Sequence, residues 1–141
     1  MAQKDSRRLS IVMYHLYPNL KRGKDGDYYL QNNSDGNGTY VVWKNNEIAE
    51  PTDKELSDVK EAAMNENWWK ILRLKRNTFL KDSDQYAVSD RPNSSDWITY
   101  RQELRDLPTT VSKPDFETLN NQSINETIDN IVNIMPTKPG A

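Results

Sequence analysis

The sequence predicts an α+β fold, with a small N-terminal antiparallel β-sheet of about three strands, a helical hairpin and a C-terminal amphipathic helix. Two observations carry this prediction. β-branched and aromatic runs separated by Asn, Asp and Gly fill the first 50 of the 141 residues, whereas apolar residues at helical spacing follow capping motifs in the remainder. We expect three regions: a sheet at 1–50, helices at 51–108, and a linker with a last helix and tail at 109–141.

The predicted sheet begins with "IVMYHLY" at residues 11–17, a β-branched and aromatic run that Pro18 ends. The runs "YYLQ" and "TYVVW" then flank "NNSDGNG", whose residues tolerate the positive φ angles of a tight turn, and this pattern predicts a β-hairpin. Because an isolated hairpin is only marginally stable, we expect the first strand to join it in a sheet from about residue 10 to about residue 49.

Helical structure is predicted to begin at Thr52, which has with Glu55 the spacing of a capping box. Apolar residues at helical spacing continue to about residue 81, as one long helix or as two helices with a bend near residues 65–67. After a polar connector, a second helix is predicted with Ser94 or Ser95 as its cap. We expect Pro108 to end this helix, because a residue that precedes proline avoids α geometry.

The last predicted helix follows an extended linker at residues 109–122. Ser123 and Glu126 repeat the capping-box spacing, and the helix is expected to stop at Pro136. An apolar stripe runs along it, formed by Ile124, Ile128, Ile131 and Met135.

Composition narrows the class of function. With a net charge of -2, the chain lacks the broad basic surface that nucleic-acid binders use. The absence of cysteine excludes disulfides and Cys-based metal sites or nucleophiles. Only 35% of the residues are hydrophobic, which predicts an incomplete globule with segments that depend on a partner. No leader-like or membrane-spanning pattern is present, so we expect a soluble intracellular protein without membrane or nucleic-acid partners.

Catalytic motifs are also missing from the sequence. His15 is the only histidine, and it lies in an apolar run where a structural role is the more common one. The turn "DGNG" at residues 35–38 lacks the further carboxylates of a calcium loop, and the hairpin explains it. We therefore predict a non-enzymatic protein with no cofactor, no metal and no catalytic residues.

Both long helical segments place a tryptophan beside arginines on one helix face. In each segment an Arg follows the Trp by four residues and a second Arg lies one turn further on, so guanidinium groups could stack on the indoles. Carboxylates near the helix ends, at Asp82, Asp84, Asp96 and Asp106, could accept hydrogen bonds from these arginines. The candidate helix-clamp or partner-binding residues are Trp68, Trp69, Arg73, Arg76, Trp97, Tyr100, Arg101, Arg105, Ile124, Ile128 and Ile131.

Two interpretations of this set stay open. The tryptophans could be core residues flanked by the apolar stems of Arg and Lys, or the same side chains could form a surface that binds a partner protein. A nucleic-acid or membrane surface is disfavoured, because the neighbouring acidic residues would repel phosphates.

The stretch from residue 68 to residue 108 contains "LRLKRNTFL" at 72–80, "SD" at 83–84 and "WITYRQELRDLP" at 97–108. With these motifs in this order it resembles phage tail assembly chaperone proteins, also called tail fibre assembly proteins. The preceding "VVWKNNEIAEPTDKEL" is weakly similar to the same family. In one departure, Gln85 and then Tyr86 follow the Ser–Asp pair, where the family commonly has Trp.

The resemblance implies a non-enzymatic bacteriophage protein that acts in the host cytoplasm and binds another phage tail or fibre protein during tail assembly. The alternative is a permanent structural component of the virion, in the tail, baseplate, fibre or neck. A homo-oligomer within an assembly stays open as well. The sequence identifies neither the partner nor the copy number.

Overall fold

The computed structural model describes residues 6–88 and 90–140. Within this part the chain is a mixture of helices with a two-stranded antiparallel sheet. The helices and strands are α1 (Ser6–Leu16), β1 (Tyr28–Asn32), β2 (Thr39–Trp43), α2 (Asp53–Asp58), α3 (Lys60–Ser83), a 3₁₀ turn (Asp84–Tyr86), α4 (Ser94–Thr110), α5 (Phe116–Asn121) and α6 (Ile124–Asn133).

The chain divides into two compact units at a point inside α3. The first unit ends at Asn65 and contains α1, the hairpin and α2, whereas the second begins at Glu66 and contains α4, α5 and α6. Each unit has its own set of buried apolar side chains.

The first unit differs from the sequence prediction at residues 11–17, which form most of α1 instead of a strand. Leu9, Val12 and Met13 are buried and Leu16 is half-buried, at the i, i+3, i+4 and i+7 spacing of one helix face. Burial of this face outweighs the strand preference of the β-branched and aromatic residues. The predicted third strand is therefore wrong, and the sheet of the described residues has two strands.

The hairpin prediction is confirmed. β1 and β2 pair in antiparallel register from Tyr28 opposite Trp43 to Asn32 opposite Thr39. The turn between them has positive φ angles at Gly36 and Gly38, as the Asn, Asp and Gly pattern predicts. Side-chain oxygens of this turn also accept backbone hydrogen bonds, including that of Asn32 from the Ser34 N–H at 2.8 Å.

The core of the first unit joins α1 to the hairpin and α2. Its buried cluster consists of Leu9, Val12, Met13, Tyr28, Leu56 and Ala63. Trp43 lies beside it, with its ring centroid 5.3 Å from Tyr17 and 6.3 Å from Tyr28. Aromatic residues from the loop after α1 and from both strands thus meet at one end of the hairpin.

The predicted capping box at the start of α2 is confirmed. The Thr52 hydroxyl accepts a hydrogen bond from the Glu55 N–H at 3.1 Å, and the Thr52 N–H donates to the Glu55 carboxylate at 3.3 Å. The helical region is divided in two at Val59. Of the two alternatives, two helices are observed, but the break lies at Val59, and α3 runs through residues 65–67 without interruption.

Both predicted ends of α4 are wrong. Its N-cap is Asn93, with a φ of 60° and no side-chain capping bond, and neither Ser94 nor Ser95 has that role. The helix also continues through Pro108 to Thr110. The Thr110 hydroxyl donates to the Leu107 carbonyl at 3.2 Å, and such bonds satisfy carbonyls of the last turn that lack a helical partner.

The segment predicted as an extended linker contains the short helix α5. The Asp115 carboxylate caps α5 by accepting from the Thr118 N–H at 2.8 Å, and this hydrogen bond lowers the pKa of Asp115. The next helix, α6, begins as predicted, since the Ser123 hydroxyl accepts from the Glu126 N–H at 3.0 Å. It ends at Asn133, before Pro136.

Candidate partner-binding site

The two adjacent tryptophans of α3 lie in different environments. Trp68 is buried, whereas Trp69 is half-buried and meets the Trp68 ring edge-to-face, with 4.9 Å between their centroids. Arg73 is exposed, and the half-buried Arg76 donates to the side-chain oxygen of Asn77 at 3.1 Å. The arginines of α3 therefore face solvent or a near neighbour in sequence.

Arg101 connects α4 to the C-terminal end of α3. One guanidinium nitrogen donates to the Leu80 carbonyl and, at 2.9 Å, to the Ser83 hydroxyl. The same nitrogen lies 2.6 Å from the carboxylate of Asp84, and only 13% of the Arg101 side chain is exposed. A cation at this position satisfies carbonyl groups that the helix end leaves without partners and interacts favourably with the helix dipole.

Trp97 belongs to an aromatic cluster in the second unit. Its ring stacks on Tyr86 with 4.4 Å between centroids and 20° between planes, and it meets Tyr100 edge-to-face at 5.6 Å. Arg91 lies over the Tyr86 ring, 5.9 Å from its centroid. Tyr86 therefore supplies an aromatic contact to α4 one position after the site where the family commonly has tryptophan.

The predicted stacking of each tryptophan on the arginine four residues later does not occur in the described part of the chain. The Arg101 guanidinium lies at the end of α3, and cation–π contacts instead join Arg91 to Tyr86 and Lys138 to Phe79. Hydrogen bonds to a helix end and an ion pair with a carboxylate stabilise the Arg101 guanidinium more than stacking on a single indole ring would.

The isoleucine stripe of α6 points mainly inward. Ile131 and Met135 are buried, and Ile124 and Ile128 are half-buried. Val132 and Ile134, outside the stripe, are exposed.

A shallow recess opens beside the aromatic cluster. It has a volume of about 30 Å³, room for a group the size of a water molecule or an ammonium. Its lining is Phe79, Asp82, Ser83, Tyr86, Trp97, Tyr100 and Lys138.

Tyr100 is the most buried aromatic side chain of this recess. It is 2% exposed, and its hydroxyl has no hydrogen-bond partner in the described structure. Burial raises the pKa of Tyr100, and the nearby carboxylate of Asp82 raises it further. The hydroxyl therefore stays protonated and remains able to donate and accept.

The outward face of α4 is exposed to solvent, unlike the recess, and carries both apolar and polar side chains. Ile98 is 51% exposed, and Gln102 and Arg105 lie on the same face of the helix at four and seven residues further on, both exposed. On α3, the exposed Leu74 lies next to Arg73. Arginine beside exposed apolar side chains is a composition common at protein interfaces.

Other kinds of site find little support in residues 6–88 and 90–140. No group of three or more His, Cys, Asp or Glu side chains there is placed to hold a metal ion. None of the helices in that part combines the length and apolar character needed to cross a bilayer. His15 lies half-buried in α1.

Comparison with protein families adds to this geometry. The family described as phage tail assembly chaperone protein matches residues 69–124, which include most of α3, the connector, α4 and α5. The region is phage tail assembly chaperone-like. The match confirms the resemblance carried by residues 68–108 and supports a role in phage tail assembly.

A second family, described as XkdW protein and associated with phages, matches residues 9–67. The border between the two matches lies within a few residues of the border between the two compact units. No curated protein and no solved structure matches the chain.

The predicted contact of a helix-end carboxylate with an arginine is confirmed for Asp84, which lies 2.6 Å from Arg101. Two side chains of this site are not among the predicted site residues. Ser83 appears in the prediction only as part of the family pattern, yet it accepts from Arg101. Lys138 lies in a tail without any motif, and nothing in the sequence pattern places it over Phe79, 59 positions earlier in the numbering.

Proposed function

We propose that this chain is a non-enzymatic assembly chaperone that binds another phage tail or fibre protein in the host cytoplasm. The observation that carries this proposal is the family match at residues 69–124. The described residues of that region supply binding surface and polar helix-end contacts, and no catalytic group is evident among them.

The binding surface we propose is the outward face of α4, with Ile98 at its apolar position and Arg105 at its charged one. Exposed arginines and apolar side chains contribute strongly to binding where a partner excludes water from them. The Arg101 contacts hold α4 at the end of α3, so this face is rigid before the partner arrives. A rigid face can cover an apolar surface of the partner until assembly removes it.

The test is binding to a tail or fibre protein recovered from infected cells with the affinity-tagged full-length chain. Ile98→Asp should keep the melting temperature of the unaltered chain and weaken binding at least about tenfold, since a charge at an apolar contact costs more than 1 kcal/mol. Val88→Asp introduces the same charge at another exposed apolar residue and serves as the control. If Ile98→Asp and Val88→Asp bind the partner equally well, the outward face of α4 is not part of the interface.

A permanent place in the virion is the second candidate function. It is favoured by exposed apolar side chains in the described part of the second unit, among them Leu74, Ile98 and Ile134, which a neighbouring subunit could cover for the life of the particle. The two candidates differ in whether the chain leaves its partner before the particle matures.

A further inference from the structure

The recess beside the aromatic cluster has the chemistry of a site for a cation. Asp82 supplies a carboxylate, the Tyr100 hydroxyl supplies a buried oxygen, and Phe79 supplies a ring face. Once the groups that cover the Tyr100 oxygen are displaced, an ammonium or guanidinium group can donate to the two oxygens while it lies against the ring. The volume of about 30 Å³ suits the polar head of a side chain.

The hydroxyl of Tyr100 is the strongest indication that something binds here. A buried hydroxyl without a partner costs about 1 to 3 kcal/mol relative to one that is hydrogen-bonded. The neighbouring Ser83 hydroxyl, in contrast, is satisfied within the chain, since it donates to the Leu80 carbonyl and accepts from Arg101. Tyr100 lines the recess and therefore brings an unused hydrogen-bonding group to it, although the oxygen itself is covered in the structure.

The chain already places one of its own cations at this position. The Lys138 ammonium lies 5.6 Å from the centroid of the Phe79 ring and forms part of the lining. Lys138 is exposed and follows α6 in a tail between Pro136 and Pro139, outside any helix or strand. Such a contact is weak enough to be exchanged for a similar one from another chain.

We propose that this recess receives a lysine or arginine side chain from a bound protein segment, and that Lys138 occupies its entrance until that segment displaces it. The inference rests on the proposed function, because the segment would belong to the tail or fibre partner. The inference specifies that one contact with the partner is made by a basic side chain. It also gives the C-terminal tail a role, because Lys138 competes with that side chain for the recess.

The test uses the full-length Lys138→Ala chain and a defined probe, the peptide acetyl-Gly-Gly-Lys-Gly-Gly-amide, followed by NMR of the Trp97 indole and the Tyr100 ring. We expect saturable shifts of both signals, with tighter binding than to the unaltered chain. The same peptide with Met in place of Lys should produce no such shifts, because it offers no charge to Asp82.

Two further variants in the Lys138→Ala chain make the result specific. Asp82→Asn should weaken binding of the Lys peptide about fivefold or more, whereas Asp96→Asn, an exposed carboxylate on α4, should leave it unchanged. Tyr100→Phe should also weaken binding while the melting temperature stays the same or rises, since it removes an unpaired buried hydroxyl.

Equal binding of the Met and Lys peptides, no shift with either, or unchanged binding in Asp82→Asn would overturn the inference. A clear drop in the melting temperature of Tyr100→Phe would do so as well, because it would mean that the hydroxyl has a structural partner. These outcomes leave the proposed function intact if the chain still recovers a tail protein from infected cells. If the chain recovers no tail or fibre protein but the peptide results are as expected, the proposed function is wrong and the cation site stands.

Discussion

The two units of this chain are stabilised in different ways. In the first unit an apolar cluster joins α1, the hairpin and α2, and the loop before β1 is held by Asp27, whose carboxylate accepts from the Lys21 N–H at 2.7 Å. The second unit adds buried polar contacts at a helix end, with the Arg101 guanidinium at their centre. The stability of the first unit depends mainly on how completely apolar side chains fill its core. The stability of the second unit depends also on hydrogen-bond geometry, because each donor and acceptor must lie at a defined distance and angle.

The largest expected effect tests the apolar cluster of the first unit. Met13→Ala should lower the free energy of unfolding by about 2 to 5 kcal/mol, and Val12→Ala should cost about 1 to 3 kcal/mol. Both neighbours are buried because α1 is a helix, whereas a strand with one buried face would bury only one of them. Urea unfolding followed by circular dichroism measures both values.

Leu74→Ala is the control for this pair, since the exposed Leu74 should change the same free energy by no more than about 0.5 kcal/mol. A negligible cost for one member of the Val12 and Met13 pair would favour the strand and contradict the helix.

The next effect tests the polar contacts of the second unit. Arg101→Met keeps an apolar stem but removes the donors to Leu80 and Ser83, and we expect it to cost about 2 to 3 kcal/mol in urea unfolding. Arg105→Met, on the same helix but exposed, should cost about 0.5 kcal/mol or less. Similar costs for both arginines would mean that the helix-end contacts contribute little, and the contrast between the units would disappear.

The smallest effect concerns the loop of the first unit and depends on pH. The hydrogen bond from the Lys21 N–H, followed by that from the Asn45 side chain, lowers the pKa of Asp27 below its usual value. A lowered folded-state pKa contributes stability above the unfolded-state pKa of about 3.9, and this contribution is lost as the pH falls through the folded-state value. Asp27→Asn should therefore lower the melting temperature at neutral pH.

The difference between Asp27→Asn and the unaltered chain should shrink as the pH falls from about 4 towards the lowered folded-state pKa, because the unfolded chain binds a proton at Asp27 before the folded chain does. Thermal melts between neutral pH and about pH 3 measure this change, with Asp25→Asn, an exposed carboxylate of the same loop, as the control. If the difference in melting temperature between Asp27→Asn and the unaltered chain stays constant over this range, the charge of Asp27 does not stabilise the loop.

Local chemistry explains which parts of the fold could be predicted. The turn residues between β1 and β2 and the box formed by Thr52 and Glu55 act over a few positions, and both predictions are confirmed. The strand predicted at 11–17 is wrong because the β-branched and aromatic run that begins at Ile11 leaves out Leu9. When Leu9 is included, the helical spacing with Val12, Met13 and Leu16 becomes visible.

The candidate site was less accessible to sequence reasoning. The family pattern drew attention to Trp97 and Arg101, but the contacts they make depend on residues distant in sequence. Arg101 binds Ser83 at 18 positions away, and Lys138 reaches Phe79 from the tail. Helix periodicity predicts which residues share a face, and it cannot predict which helix end or tail lies opposite that face.

The most direct test of the central claim is quantitative mass spectrometry of purified mature phage particles, compared with the lysate of infected cells. A chaperone that leaves before maturation should be bound to a tail or fibre protein in the lysate and be absent from the particles. A fixed ratio of this chain to a tail protein in mature particles would contradict the chaperone account and make the chain a structural component of the virion.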